Sequence, residues 1–287
     1  MFIRTEELTH VYMPGTPFAA TALRGVTLAI ERGSCSALIG PSGSGKSTLI
    51  QHLNGLLKAT AGRVVVDGRA VGEDRQEMLK LRRRVGLVFQ MPEQQFFAET
   101  VYDEIAFAPR NMGCNPGAVE ARVKQALNQV GLDYGKLKDR SPFHLSAGQK
   151  RLTAVAAILA LRPEVLIMDE PTAGLDPANR QRLHDLLKTL NREAGLTILI
   201  VTHDLDQAAA LADRILVLND GRLVMSGPPA EILTRGAELR RLGLALPLLS
   251  EIMHGLSERG LPVNTAVFSL DQARREINRV RKQGATL

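Results

Sequence analysis

Gly40-Pro41-Ser42-Gly43-Ser44-Gly45-Lys46-Ser47 is the stretch on which the reading of this chain turns. It fits G-x-x-x-x-G-K-[ST], a loop in which glycines let backbone N–H groups crowd around phosphate oxygens that side chains would otherwise block. Lys46 adds a point charge for β- and γ-phosphates, and the Ser47 hydroxyl suits Mg²⁺. The pattern requires a strand before it and a helix after it. Ser34–Ile39 is a short, mostly apolar run, and Ser47 to about Leu57 places apolar residues at helical spacing, so both neighbours are predicted. That helix aims its positive end at the anion, and the cradle is taken to run from Gly40 to Thr48. The plainer alternative is a Gly/Ser turn between core elements.

Two more stretches complete a nucleotide site. Val165-Leu-Ile-Met-Asp169-Glu170 is a buried-strand pattern ending in paired carboxylates, of which the first suits Mg²⁺ and the second can orient and deprotonate an attacking water. A solvated strand edge, or a helix cap before Pro171, is the bland reading of the same residues. Leu145-Ser146-Ala147-Gly148-Gln149 opens a helix predicted to reach about Leu161, and by itself reads as a capped helix start.

The bulk properties exclude several classes. At 287 residues and 45% hydrophobic content the chain suits one large domain with an appendage, or two domains. No apolar run reaches the roughly 18 residues that span a bilayer; the longest, Leu152 to Leu161, stops at Arg162-Pro163. The first residues carry early acids and no long apolar stretch, which argues against a signal peptide. Cys35 and Cys114 fit neither a disulfide framework nor a metal cluster, so a reducing cytoplasm is expected. The net charge of +6 is spread along the chain and aromatics are only 4%, which leaves little material for stacking nucleic acid bases.

Along the chain, strands near Phe2–His10 and Leu23–Ile30 look antiparallel and flank the turn-rich Met13-Pro-Gly-Thr-Pro17. Further strand-like runs at Val64–Val66, Val85–Phe89, Val165–Asp169, Thr197–Thr202 and Ile215–Leu218 alternate with helical patterns. That alternation predicts an α/β fold with a largely parallel sheet, ligands gathering at the carboxyl ends of its strands. Residues from about 95 to 160, including Pro116–Val130, read as an inserted helical subdomain. Beyond Gly227-Pro-Pro229 come leucine-rich helical pieces. Ser269 with Gln272 reads as a capping box, and Leu270, Ala273, Ile277 and Val280 form one apolar stripe on the last helix.

Taken in order, these motifs resemble the nucleotide-binding subunit of an ABC transporter, whose signature normally reads Leu-Ser-Gly-Gly-Gln; here Ala147 takes the third place. The resemblance covers nearly all of residues 1–230 and implies a P-loop NTPase fold with an antiparallel β subdomain and a helical subdomain. It implies further roles residue by residue. Gln90 matches the glutamine that senses Mg²⁺ and the γ-phosphate. Ala173-Gly-Leu-Asp176 matches the D-loop, and His203 matches the switch histidine that contacts the γ-phosphate and positions Glu170. Tyr12 is the expected adenine-stacking aromatic, with Phe18 as competitor and core packing as the plain reading.

Within that family the chain is most similar to the ATPases of energy-coupling factor transporters, of the A-prime type. The resemblance rests on Met13–Phe18, Leu49–Gly55, Gly86–Gln95, Asp139–Phe143 and Asp169–Pro177. It implies that Pro92–Phe96 grips the transmembrane T component and that residues 231–287 hold two ATPase subunits together. It also implies that a separate membrane S component binds the cargo, a vitamin or transition-metal ion, and that the protein sits peripherally on the cytoplasmic face. Each ATP would lie between Lys46 of one subunit and Ser146, Gly148 and Gln149 of the other. Two alternatives stay open: the ATPase of a conventional ABC importer, and a soluble ABC-type nucleotide clamp.

Overall fold

The computed structural model describes residues 1–72, 74–265, 267 and 270–282. The chain opens with β1 (Ile3–Tyr12) and β2 (Ala20–Ile30), paired antiparallel from Ile3↔Ile30 to Tyr12↔Ala20 as the flanked turn predicts. β3 (Cys35–Ile39) leads through the glycine loop into α1 (Lys46–Leu53). β4 (Ala61–Val66) and β5 (Arg69–Ala70) follow, then α2 (Arg75–Arg84) and β6 (Val85–Val88). A 3-10 turn at Pro92–Gln95 precedes α3 (Val101–Asn111), α4 (Pro116–Gln129), α5 (Tyr134–Leu137) and α6 (Ala147–Leu159). β7 (Val165–Asp169), α7 (Pro177–Arg192), β8 (Thr197–Val201), α8 (Leu205–Leu211), β9 (Arg214–Asn219) and β10 (Arg222–Gly227) complete the sheets. The tail is α9 (Pro229–Thr234), α10 (Gly236–Arg241), α11 (Leu248–Glu258) and α12 (Leu270–Lys282).

Among the described residues the strands form two sheets: a six-stranded one of order β10-β9-β3-β8-β7-β6, and a four-stranded one of order β2-β1-β4-β5. The larger is parallel throughout except for β10, which returns antiparallel to β9. Val64–Val66 therefore belongs to the antiparallel sheet, with Val64 opposite Thr5, and not to the parallel core in which its β-branched run first places it. Propensity cannot tell the two sheets apart; pairing partners decide.

Covering the large sheet on both faces makes its strands near-continuous apolar runs. Alternate residues then feed different cores, because successive side chains point to opposite faces. Ile198 and Ile200 join Leu166 and Met168 against α3, α4 and α6, while Leu199 and Val201 join Val165 and Ile167 against α1 and the antiparallel sheet. Each such fully buried side chain stabilises the fold by about 1.5–3 kcal/mol before cavity effects.

Helix ends follow their local chemistry. α1 stops at Leu53, short of the predicted Leu57, because Gly55 turns the backbone left-handed at φ +73°. Asn54 fastens that end by donating its side-chain amide to the carbonyl of Val85. α6 ends at Leu159, close to the expected Leu161.

In the tail, Ile232, Leu233, Leu239, Leu244 and Leu246 share a cluster with Ala37, Ile39 and Val217, so its first half packs on the sheet. A separate cluster gathers Met253, Val263, Val267, Ala273 and Val280, with Ile277 packed against it. The apolar stripe of α12 thus packs on α11. Leu270 departs from the expected stripe, being 74% exposed. The capping box expected at Ser269 lies outside the described residues.

Candidate nucleotide and catalytic site

The carboxyl ends of neighbouring parallel strands converge as the fold class demands. Gly40 follows β3, Asp169 ends β7, Thr202 and His203 follow β8, and Gln90 lies two residues beyond β6. Gln90 is exposed there, beside the strand that carries Asp169.

The phosphate loop is held from behind. Gly45 adopts φ +102°, and a Cβ there would lie 2.6 Å from the carbonyl of Ala22 and 3.0 Å from Leu23, so β2 closes on a backbone only glycine can present. Ser44 is buried, its carbonyl accepting from the Gly221 amide at 3.0 Å, while its Oγ has no hydrogen-bond partner among the described residues. Ser42 and Gly43 face solvent, and Pro41 is partly buried. Lys46 folds over the loop and donates Nζ–H to the carbonyls of Gly40 and Pro41, at 2.8 and 2.9 Å.

Lys46, Asp169 and Glu170 form one electrostatic group. Burial pushes the Lys46 pKa down, opposed by the charges of Glu170 and Asp169. Burial and then the neighbouring Glu170 push Asp169 up, opposed by Lys46 and by the Ser47 hydroxyl, which donates to Asp169 Oδ2 at 3.5 Å. A second positive charge among these oxygens would oppose the burial and the Glu170 repulsion that raise Asp169.

Glu170 stands at φ +45°, a left-handed conformation rare for a non-glycine residue. Its N–H donates to the Val201 carbonyl at 2.8 Å, and its own carbonyl accepts from Ala173 N–H at 3.1 Å. The carboxylate is aimed by β8. Oε1 accepts from the His203 amide at 3.1 Å and meets His203 Nδ1 at 2.8 Å, while Oε2 accepts from Thr202 Oγ1 at 3.4 Å. The Glu170 side chain is only 14% exposed and that of His203 75%, so the acid is held inside and the imidazole reaches out.

Tyr12, at the end of β1, exchanges a hydrogen bond through its hydroxyl with Thr48 Oγ1 at 3.1 Å and packs edge-on against His10. Its ring is 40% exposed beside α1, a half-open aromatic face, whereas Phe18 is 78% exposed in the turn. His10 in turn packs edge-on against His52 of α1. His52 is buried, which lowers its pKa to about 4.

Ser146, Gly148 and Gln149 lie apart from this cluster, at the start of α6. Ser146 Oγ accepts from the Gln149 amide at 3.3 Å, and Gln149 Oε1 accepts from the Ser146 amide at 3.1 Å: a complete capping box. Gly148 faces α7, where a Cβ would fall 2.4 Å from Asn179 Oδ1. Asn179 was not among the residues singled out from the sequence, although Asp176, three residues earlier, caps its amide at 2.9 Å and marks the helix start. Thr202 was missed for want of any motif, and Arg151 because an arginine on a helix is expected outside.

The arrangement is that of a nucleotide-hydrolysing P-loop protein. Residues 23–173 match the ABC transporter family. Curated relatives named energy-coupling factor transporter ATP-binding protein EcfA2 include one from Clostridium tetani, 44% identical and spanning 100% of this chain and 99% of the relative. Another, from Symbiobacterium thermophilum, is 50% identical over 93% and 92% of the two chains. Among solved structures, cbiO1 from Clostridium perfringens, part of the ABC transporter complex cbiONQ, superposes with a TM-score of 0.75 at 38% identity, over 88% of this chain and 98% of that one. A dimeric ATP-binding cassette in a post-hydrolysis state with ADP and Pi superposes with a TM-score of 0.70 at 30% identity, over 79% and 98%. The chain belongs to the ABC transporter family and is an ATPase of the ATP-binding cassette fold. Within that family it belongs with the energy-coupling factor transporter ATP-binding proteins. Among the described residues no helix is long and apolar enough to cross a membrane.

Proposed function

We propose that this chain is the ATP-hydrolysing subunit of an energy-coupling factor importer, drawing uptake of a vitamin or transition-metal ion through membrane partners. The observation that carries it is the convergence of Lys46, Asp169, Glu170 and His203 at the ends of β3, β7 and β8, with Glu170 locked in a left-handed backbone by hydrogen bonds on both sides. A non-catalytic ATP lid would not need to hold that strained acid.

The residues fit Mg²⁺. Ser47, Asp169 and Gln90 offer oxygen donors, the kind hard cations take, and Asp169, whose pKa is raised by burial and then by Glu170, is a half-buried carboxylate that a cation would hold ionised. Ser47, Asp169 and Gln90 would hold Mg²⁺, which would supply positive charge against the negative charge that develops during phosphoryl transfer. Lys46 turns from the carbonyls of Gly40 and Pro41 to the phosphates, which supply the acceptors it now finds in its own loop. The backbone from Gly40 to Thr48 holds the triphosphate, and Tyr12 stacks on the base. Glu170 takes the proton of the attacking water, while His203 keeps the carboxylate aimed and meets the γ-phosphate.

Completion of the site needs a second ATPase subunit, a copy or a sister, that brings its Ser146, Gly148 and Gln149 to the γ-phosphate; dimeric cassettes among the solved relatives support this. We assign residues 1–230 to the ATPase domain, with a helical subdomain at about 95–160, and 231–287 to a dimerisation extension. The Pro92–Gln95 turn is assigned to the transmembrane T component, through which the S component is served, placing the chain on the cytoplasmic face of the membrane. Co-purification of membrane partners with the tagged chain, followed by ATP-dependent uptake in vesicles, tests the reading. Partners consisting of a conventional permease alone would redirect it to an ordinary ABC importer.

A further inference from the structure

Arg151 is the charged side chain that the site as described does not use. It lies on the first turns of α6, is 2% exposed, and donates Nη2–H to the carbonyl of Ala173 at 3.0 Å. Its Nε faces Glu93 Oε2 at 3.9 Å, and neither Nε nor Nη1, nor that carboxylate oxygen, makes a hydrogen bond among the described residues. Burying a guanidinium so incompletely paired is costly, and an apolar side chain of similar volume would fill the space more favourably. Stability alone therefore does not account for it.

What Arg151 touches does. Ala173 is the residue whose N–H closes the turn on the Glu170 carbonyl at 3.1 Å, and Glu170 is held there at φ +45°. A residue in that region keeps its conformation only while its surroundings over-determine it. Arg151 pins the far end of that turn from α6, and Glu93, in the Pro92–Gln95 turn, supplies a negative charge that opposes the burial pushing the guanidinium's pKa down.

We propose that Arg151 is a positioning residue for hydrolysis: through the Ala173 carbonyl it fixes the turn that aims Glu170, and Glu93 holds Arg151 in place, so that displacing the Pro92–Gln95 turn slackens the catalytic acid. The inference rests on the reading of Glu170 as the base. Its readout is turnover with ATP affinity preserved, because among the described residues the polar partners of Arg151 are Ala173 and Glu93, outside the phosphate loop and Tyr12.

Full-length chain with its companion ATPase subunit is assayed for phosphate release and ATP binding as Arg151→Gln, Glu93→Gln and the double variant, with Glu170→Gln alongside. Misplacement of the acid predicts that Arg151→Gln slows release about 10-fold or more while ATP affinity stays within about twofold. Glu93→Gln slows release by a smaller factor at unchanged melting temperature and speeds amide exchange at residues 170–175. The double variant is no slower than Arg151→Gln, because both act on one contact. Turnover of either single variant at the wild-type rate, multiplying effects, or affinity falling in step with turnover overturns the proposal. Should Arg151→Gln fail to fold, Glu93→Gln carries the test. Normal release by Glu170→Gln would defeat the assignment of the base itself, whereas its loss beside normal release by Arg151→Gln would defeat only the relay.

Discussion

His203 holds Glu170 twice: its backbone N–H donates to Oε1 at 3.1 Å, and its ring Nδ1 meets the same oxygen at 2.8 Å. The backbone bond survives any substitution of His203 except proline, so removing the ring leaves the carboxylate that bond and the one from Thr202 Oγ1. His203→Ala is expected to lower turnover about 10²-fold, within the range for losing a group that organises a general base, with ATP affinity changed much less. Steady-state phosphate release and an independent nucleotide titration check the two halves of that expectation.

The contact of Gly148 with Asn179 predicts a steric effect at the start of α6. A Cβ would lie 2.4 Å from Asn179 Oδ1, whose amide is itself capped by Asp176. Gly148→Val is expected to destabilise the fold by about 1–3 kcal/mol, the range for overpacking a tight contact. Asn179→Ala in the same chain should recover part of the loss, as measured by chemical denaturation.

Tyr12 and Phe18 are separable by affinity. Tyr12 is anchored to α1 through Thr48, whereas Phe18 sits in the turn at 78% exposure. Tyr12→Leu is expected to weaken ATP binding about 2- to 12-fold, corresponding to the loss of one aromatic stacking contact. Phe18→Leu should leave it within about twofold. Calorimetric titration of both variants with ATP distinguishes the two.

His52 makes stability depend on pH. Its pKa falls from 6.5 to about 4 in the folded chain because burial disfavours the imidazolium, so the unfolded chain binds more protons between those values. The stabilisation is present above pH 6.5 and is lost as pH falls toward 4. Relative to His52→Gln, the wild type should lose about 1–3 kcal/mol more over that interval, as urea midpoints at each pH would register.

Much of the site could be read from residue order, since the phosphate loop, the strand ending in Asp169-Glu170 and the residue after β8 each carry a local signature tied to a strand end. What escaped has physical causes. α2 is so rich in charge that only Leu81 is buried, leaving no apolar period, although Asp74 caps it. β10 alternates too weakly to stand out, and its role comes from pairing with β9. The left-handed backbone at Glu170 and the inward turn of Arg151 depend on contacts from distant segments. Leu270 shows the converse: periodicity places it on the stripe, but the helix starts there and the described residues leave it exposed.

The tail divides by packing. Residues through Leu246 share a core with β3 and β9, so removing only 248–287 should leave the ATPase fold intact while loosening the ATPase pair. Sedimentation of that truncation without nucleotide is expected to show dissociation at concentrations where the full chain is paired.

The most direct test is phosphate release from Mg-ATP by the purified chain with its companion subunit, beside Lys46→Ala and Glu170→Gln. The account predicts steady release by the wild type, loss of ATP binding with Lys46→Ala, and about a 10²- to 10⁴-fold slower release with ATP still bound for Glu170→Gln. Release by Glu170→Gln at the wild-type rate would contradict it.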